Sequence, residues 1–152
     1  MIVTPEEFGR IVAQAEREYP NECCGAVLVQ DGSPGDRVFL PWRNIQDELH
    51  AKEPDRFPRT ARTGFNIGLP DILAFDDLLG KGYRPIIYHS HPDAGAYFSD
   101  TDKHWASPQG EPLYPNAVYL VVSVREGKVA DANAFAWDPE RRDFLPVPFR
   151  AD

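Results

Sequence analysis

Residues 88–102, YHSHPDAGAYFSDTD, gather groups that can hold a metal and move a proton. His89 and His91 are two of only four histidines in the chain, and one residue separates them. Alternate residues of a strand share a face, so both imidazoles point the same way, about 7 Å apart at the backbone. That separation lets two ring nitrogens converge on one ion, while Ser90 points to the other face. A catalytic zinc takes three protein ligands and leaves a fourth position for water. Asp102 is the best third ligand, in the first turn of an expected helix after a loop that can fold back over the strand end. Asp93 and Asp100 are rivals that spacing leaves open. Ser99, three residues before Asp102, can aim its hydroxyl at a bound water or a developing oxyanion.

Each pattern has a plainer explanation when taken alone. Ser99-x-x-Asp102 reads as a capping box, in which the serine caps a helix and the acid reaches back. A lone His-x-His on a strand is more often packing or solvated polarity. The two together favour a site, and a serine can cap a helix and face a site at once.

The elements that must position these groups follow from periodicity. Residues 4–19 predict an opening helix with Thr4 as N-cap and Pro5 at the first helical position. Phe8, Ile11, Val12 and Ala15 form its apolar face. Residues 25–30 predict a buried strand, and 31–36 (DGSPGD) a turn leading into a partner strand at 37–40. Residues 41–62 are polar and aperiodic and predict a long loop, with at most a short helix or strand inside and a binding role. A short strand is expected at 65–67, a helix at 69–79 closed by Gly80 or Gly82, and the histidine-bearing strand at 84–91. A helix over 99–106, strands over 116–124 and 129–137, and a last edge segment with prolines complete the pattern.

Bulk composition narrows the function classes. The 152 residues suit one compact domain over 1–152. Sixteen basic against twenty-four acidic residues give a net charge of -8, with no basic run, which speaks against a nucleic-acid partner. No apolar run is long enough to span a membrane, and no secretory signal opens the chain. The adjacent Cys23 and Cys24 are poor disulfide partners, so a reducing, cytoplasmic setting is expected.

The pattern His89-x-His91-Pro92-x6-Ser99-x2-Asp102 resembles, position for position, the metal-binding signature of the JAMM (MPN+, Mov34/JAB) metalloproteases. Glu22-x-Cys24-Gly25 ahead of an apolar strand is similar to that family's first-strand segment, and the likeness extends over residues 4 to about 137. The resemblance implies an α/β, deaminase-like domain with a central mixed, curved sheet flanked by helices. It implies that His89, His91 and Asp102 hold Zn2+, that Glu22 is the general base, and that Ser99 stabilises the tetrahedral intermediate. Spacing alone does not choose Glu22 over Glu18, Glu48 or Glu53; the resemblance does. Short free-standing chains of this kind look like the bacterial branch, whose members act on small ubiquitin-like sulfur-carrier proteins. The expected reaction is hydrolysis of the peptide or isopeptide bond after the carrier's C-terminal Gly-Gly tail. A tail of that kind can add as an extra strand, for which residues 60–68 are the expected edge, with Arg59 or Arg62 meeting acidic carrier surface.

Three other readings remain. A cysteine hydrolase would pair Cys23 or Cys24 with His89 or His91, although cysteines before a buried strand are usually small core residues. A zinc deaminase would need H-x-E with P-C-x-x-C, which is absent here. A non-catalytic, metal-bearing MPN scaffold is the main alternative from another class. His50 and His104 are expected at the surface, Trp42 and Trp137 as anchors, and Trp105 beside the substrate slot.

Overall fold

The computed structural model describes residues 2–149. The elements run α1 (Pro5–Glu18), β1 (Cys24–Gln30), β2 (Ser33–Trp42), α2 (Gln46–Lys52), α3 (Leu69–Gly80), β3 (Tyr83–Pro92), α4 (Asp100–Ala106), β4 (Val118–Arg125), β5 (Lys128–Asp138) and β6 (Asp143–Val147). The six strands form one sheet in the order β2-β1-β3-β4-β5-β6. Only β3 and β4 are parallel, and α4 lies in the connection between them. This is a mixed α/β sheet flanked by helices, as the sequence led us to expect.

Each face of the sheet has its own core. On one face α1 packs Ile11 and Ala15 against Val27, Ile86, Tyr88, Leu120 and Val122. Thr4 and Glu7 close a capping box at its start, which satisfies two of the first-turn amides and fixes where the helix begins. On the other face Phe75 of α3 and Ala106 of α4 pack over Ala26, Leu28, Ile87, Tyr119 and Val121. Burial alternates along β1 and β3 between the two clusters, as a strand covered on both sides requires.

The expectations fail at two places. The turn between β1 and β2 is shorter than 31–36, because β2 already begins at Ser33. Pro34 and Pro41 are tolerated there because β2 is an edge strand with one unpaired side. Residues 65–67 form no strand, so the expected edge at 60–68 does not exist in that form. Side-chain amides take the place of a ladder: Asn44 Nδ2 donates to the Gly64 carbonyl at 3.1 Å, and Asn44 Oδ1 accepts from the Asn66 amide at 3.3 Å. The helix expected at 69–79 forms as α3; it buries only Phe75, while Leu69 and Leu73 remain 65% and 58% exposed. Among the described residues, no helix is long and apolar enough to cross a membrane.

Candidate metal centre

The register of the central strands assembles the site. Cys24 pairs with His89 in the antiparallel β1–β3 ladder. Continuing that register two residues outward sets Glu22 across from His91. The contact is fixed on the opposite face, where the Cys23 amide donates to Ser90 Oγ at 2.8 Å. The Ser90 amide in turn donates to the Cys23 carbonyl at 3.0 Å. Ser90 thus points away from the two imidazoles, as strand alternation demands.

After Pro92 the chain leaves the sheet and returns through residues 93–99. This return is held at several points. Ser123 Oγ donates to the Ala94 carbonyl at 2.5 Å, and Asn133 Nδ2 donates to the Ala96 carbonyl at 2.9 Å. Asp93, at positive φ, accepts from Tyr19 Oη at 2.7 Å and from the Glu126 amide at 3.0 Å. Asp93 is therefore committed to the loop, and Asp100 is exposed, so neither rival joins the histidines. Ser99 caps α4. Its Oγ accepts from the Asp102 amide at 3.0 Å, and Asp102 Oδ2 accepts from the Ser99 amide at 3.0 Å. The capping box is real, and it aims the Asp102 carboxylate at the strand end.

His89, His91 and Asp102 meet there, all three buried. The two Nε2 atoms are 3.0 Å apart, His91 Nε2 lies 3.1 Å from Asp102 Oδ2, and His89 Nε2 lies 3.1 Å from Asp102 Oδ1. Among the described residues this is the one group of three or more such side chains close enough to share an ion. A tetrahedral ion bonded at about 2.0–2.1 Å sets its ligands roughly 3.3 Å apart. The observed triangle is within a few tenths of an ångström of that edge. Those spacings suit three side chains that would share one small cation. His91 Nδ1 lies 2.9 Å from the Gly95 carbonyl, which can only accept. Nδ1 therefore carries a proton, and Nε2 either donates to Asp102 when the imidazole is protonated or offers a lone pair when it is neutral. His89 Nδ1 is buried with no hydrogen-bond partner among the described residues.

The electrostatics fit a site that exchanges a proton for a cation. Burial pushes the Asp102 carboxyl up, but the His89 charge and hydrogen bonds from both imidazoles and the Ser99 amide outweigh it. The carboxyl is held far below the usual range. Burial pulls His91 down, while the hydrogen bond and charge of Asp102 outweigh it and hold the imidazole above its ordinary value. Glu22 is 6% exposed, and burial pushes it up to about 8, with His91 and Arg59 opposing and Asp102 adding. Burial likewise pushes the Cys23 thiol up to about 12 and Cys24 well above its ordinary value. Neither cysteine is an accessible nucleophile at neutral pH, which removes the structural basis for a cysteine hydrolase.

A cavity of about 870 Å³ opens over the triangle and is lined by Glu22, His91, Ser99 and Asp102. His104 and Trp105 line it too, the latter as expected. Trp42 is buried against Phe75, and His50 holds the Phe57 carbonyl at 2.8 Å, away from the triangle. The opposite wall is the segment from Arg56 to Asn66, including Phe65, whose ring packs tilted against His89 with the centroids 5.1 Å apart.

The part played by Asn44 and Gln46 was not anticipated. Asn44 Nδ2 donates to the Glu22 carbonyl at 2.9 Å as well as to Gly64, and the Glu22 amide donates to the Ala61 carbonyl at 2.7 Å. Gln46 Nε2 donates to the Arg59 carbonyl at 2.9 Å and its Oε1 accepts from Asn66 at 2.7 Å. These amides bind the cavity wall to the backbone that carries Glu22. The only trace in the sequence was a long polar stretch without a period.

Known proteins resemble this chain in both sequence and fold. Residues 4–139 match the family described as prokaryotic homologs of the JAB domain. A protein of Mycobacterium tuberculosis called CysO-cysteine peptidase is 28% identical over 126 residues, covering 83% of this chain and 75% of the relative. The tail tip assembly protein K of Escherichia phage N15 is 37% identical over 93 residues, which is 61% of this chain but 31% of that protein. The solution structure of a protein from Desulfitobacterium hafniense superposes with a TM-score of 0.63 at 21% identity, over 95% of this chain and 87% of that one. A Salinibacter ruber protein gives 0.56 at 27% identity, over 97% and 89%. With its signature residues assembled at one strand end and nearly its full length matched, the chain belongs to the prokaryotic JAB-domain family.

Proposed function

We propose that this protein is a zinc-dependent peptidase that hydrolyses the bond following the C-terminal Gly-Gly tail of a small ubiquitin-like sulfur-carrier protein. The observation that carries the reading is the triangle of His89, His91 and Asp102, with nitrogen and oxygen atoms 3.0–3.1 Å apart, under a cavity that Glu22 also lines. Two imidazoles and one carboxylate suit zinc better than calcium or magnesium, which prefer oxygen ligands. A zinc ion held there would supply an acidified water and a polarised carbonyl.

The chain's own groups have distinct tasks. Asp102, tied to the Ser99 amide, and His91, tied to the Gly95 carbonyl, keep their donor atoms turned inward. Glu22 takes a proton from water and delivers it to the departing nitrogen, because an amide does not leave as its anion. Its burial supports that task, since desolvation pushes the carboxyl above its ordinary range and makes it a stronger base. Ser99 spends its oxygen lone pair on the Asp102 amide and keeps its O–H free to donate to the developing oxyanion. The relative called CysO-cysteine peptidase favours a small-protein substrate. The net charge of -8 does not favour nucleic acid as a partner, and we place the protein in the cytoplasm as one domain.

The test is to incubate the zinc-loaded protein with a carrier joined through its Gly-Gly tail to an amino acid, with and without a chelator, and with Glu22→Ala. Cleavage abolished by chelation and by Glu22→Ala is expected. Cleavage that survives the chelator contradicts the metal mechanism. Stoichiometric zinc without cleavage points instead to a metal-bearing scaffold.

A further inference from the structure

The wall facing the triangle carries three arginines, Arg56, Arg59 and Arg62, in a protein whose net charge is -8. Two of them have carboxylate neighbours. Arg56 lies 3.8 Å from Glu53, and Arg62 lies 3.8 Å from Asp93. Arg59 makes no ion pair among the described residues, and its guanidinium holds only the Thr63 carbonyl at 3.2 Å. Its position is nonetheless built. Gln46, buried at 5% exposure, grips the Arg59 carbonyl, and the Arg59 side chain packs beside Gly64. Of the three arginines, Arg59 is the one whose charge bears on Glu22.

That placement has a consequence for the leaving group, which rests on the peptidase reading above. In amide hydrolysis the water oxygen bonds to the carbonyl carbon, the C–N bond breaks, and the nitrogen departs with a proton. The departing nitrogen must therefore sit beside Glu22. If it belongs to a single amino acid, a free carboxylate lies two bonds from that nitrogen. If it belongs to a longer chain, the same position holds a neutral amide. We propose that Arg59 is the specificity-determining residue of the leaving-group side, binding the α-carboxylate of one amino acid joined to the carrier tail. The protein then prefers a single terminal residue to a longer chain as the leaving group. A guanidinium is suited to this because its planar fork matches a carboxylate with two parallel hydrogen bonds.

The test uses the zinc-loaded full chain and a bacterial ubiquitin-like carrier extended after Gly-Gly by one cysteine. The extended carrier is made once as the free acid and once as the C-terminal carboxamide. The wild type is expected to cleave the acid with a kcat/KM about tenfold or more above that of the amide, the order expected for one charge-assisted contact. Arg59→Ala is expected to bring the ratio close to one, Arg59→Lys to keep part of it, and Arg62→Ala to keep all of it. Loss of a merely structural contact would slow both substrates alike and leave the ratio in place. Equal cleavage of acid and amide by the wild type, or an unchanged ratio in Arg59→Ala, overturns this inference and leaves the peptidase reading standing. No turnover of either conjugate by the wild type overturns the peptidase reading, and this inference with it.

Discussion

Glu22→Gln should stabilise the metal-free protein, and the gain should grow with pH. Glu22 is buried, and its carboxyl is moved from an ordinary 4.5 up to about 8. A carboxyl whose folded pKa lies above its unfolded value binds its proton more tightly in the folded state. Its contribution is intact below about pH 4.5 and is lost as pH rises through about 8. Each tenfold change in proton affinity is worth about 1.36 kcal/mol, so burying Glu22 costs about 3 kcal/mol at pH 7 and about 5 kcal/mol once pH exceeds 8. Gln has nearly the same shape and never ionises, so it removes that cost. Denaturant unfolding of both proteins in chelator at pH 5, 7 and 8.5 measures it as a difference in midpoint at constant slope. The expected pattern is a small gap at pH 5 that widens by about 1 kcal/mol for each step of one in pH up to pH 8 and then levels off. A gap independent of pH, or a variant less stable than the wild type at pH 8.5, would refute the reasoning about this carboxyl.

Other perturbations separate the remaining roles. Asp102→Ala removes both a donor of the triangle and a cap acceptor. It should weaken zinc binding by more than the roughly 10–100-fold that outer partners are worth, read by competition with a chromophoric chelator. Ser99→Asn keeps an N-cap and loses the hydroxyl; stability should change by only a few tenths of a kcal/mol while kcat falls by about 10²-fold or more. If kcat holds in Ser99→Asn, the serine is only a cap. Asn44→Ala breaks the link between the Glu22 carbonyl and Gly64 and should cost about 2 kcal/mol in thermal or denaturant unfolding. Gly25→Ala should destabilise by about 1–3 kcal/mol, because the new methyl overlaps the Tyr88 phenol, which hydrogen-bonds to Gln14.

The parts of the site carried by short-range spacing were legible in the sequence. Strand alternation put His89 and His91 on one face and Ser90 on the other. The Ser99-x-x-Asp102 spacing announced a cap that also turns the carboxylate inward. Asp102 was already the best candidate, but excluding Asp93 needed the fold, since Asp93 is spent on Tyr19 and Glu126, which lie 74 and 33 residues away along the chain. Glu22 was reached by resemblance alone, because what raises it above other glutamates is the β1–β3 register, which no local pattern encodes. The wall from 56 to 66 was the least legible part. It is built from amide side chains bonded to carbonyls, and such bonds leave no period. The apolar Phe65 and Ile67 look like a strand but serve to pack on His89 and the core.

The central claim is that one divalent ion is held by two imidazoles and one carboxylate with a vertex left open. X-ray absorption at the zinc edge, on protein loaded with one equivalent, tests this most directly. Four light scatterers at about 2.0–2.1 Å are expected, two of them with the outer-shell signature of imidazole. Both imidazoles should vanish from the spectrum in a His89→Ala, His91→Ala double variant. Sulfur at about 2.3 Å, or a first shell of six oxygens, would place the ion elsewhere and contradict it.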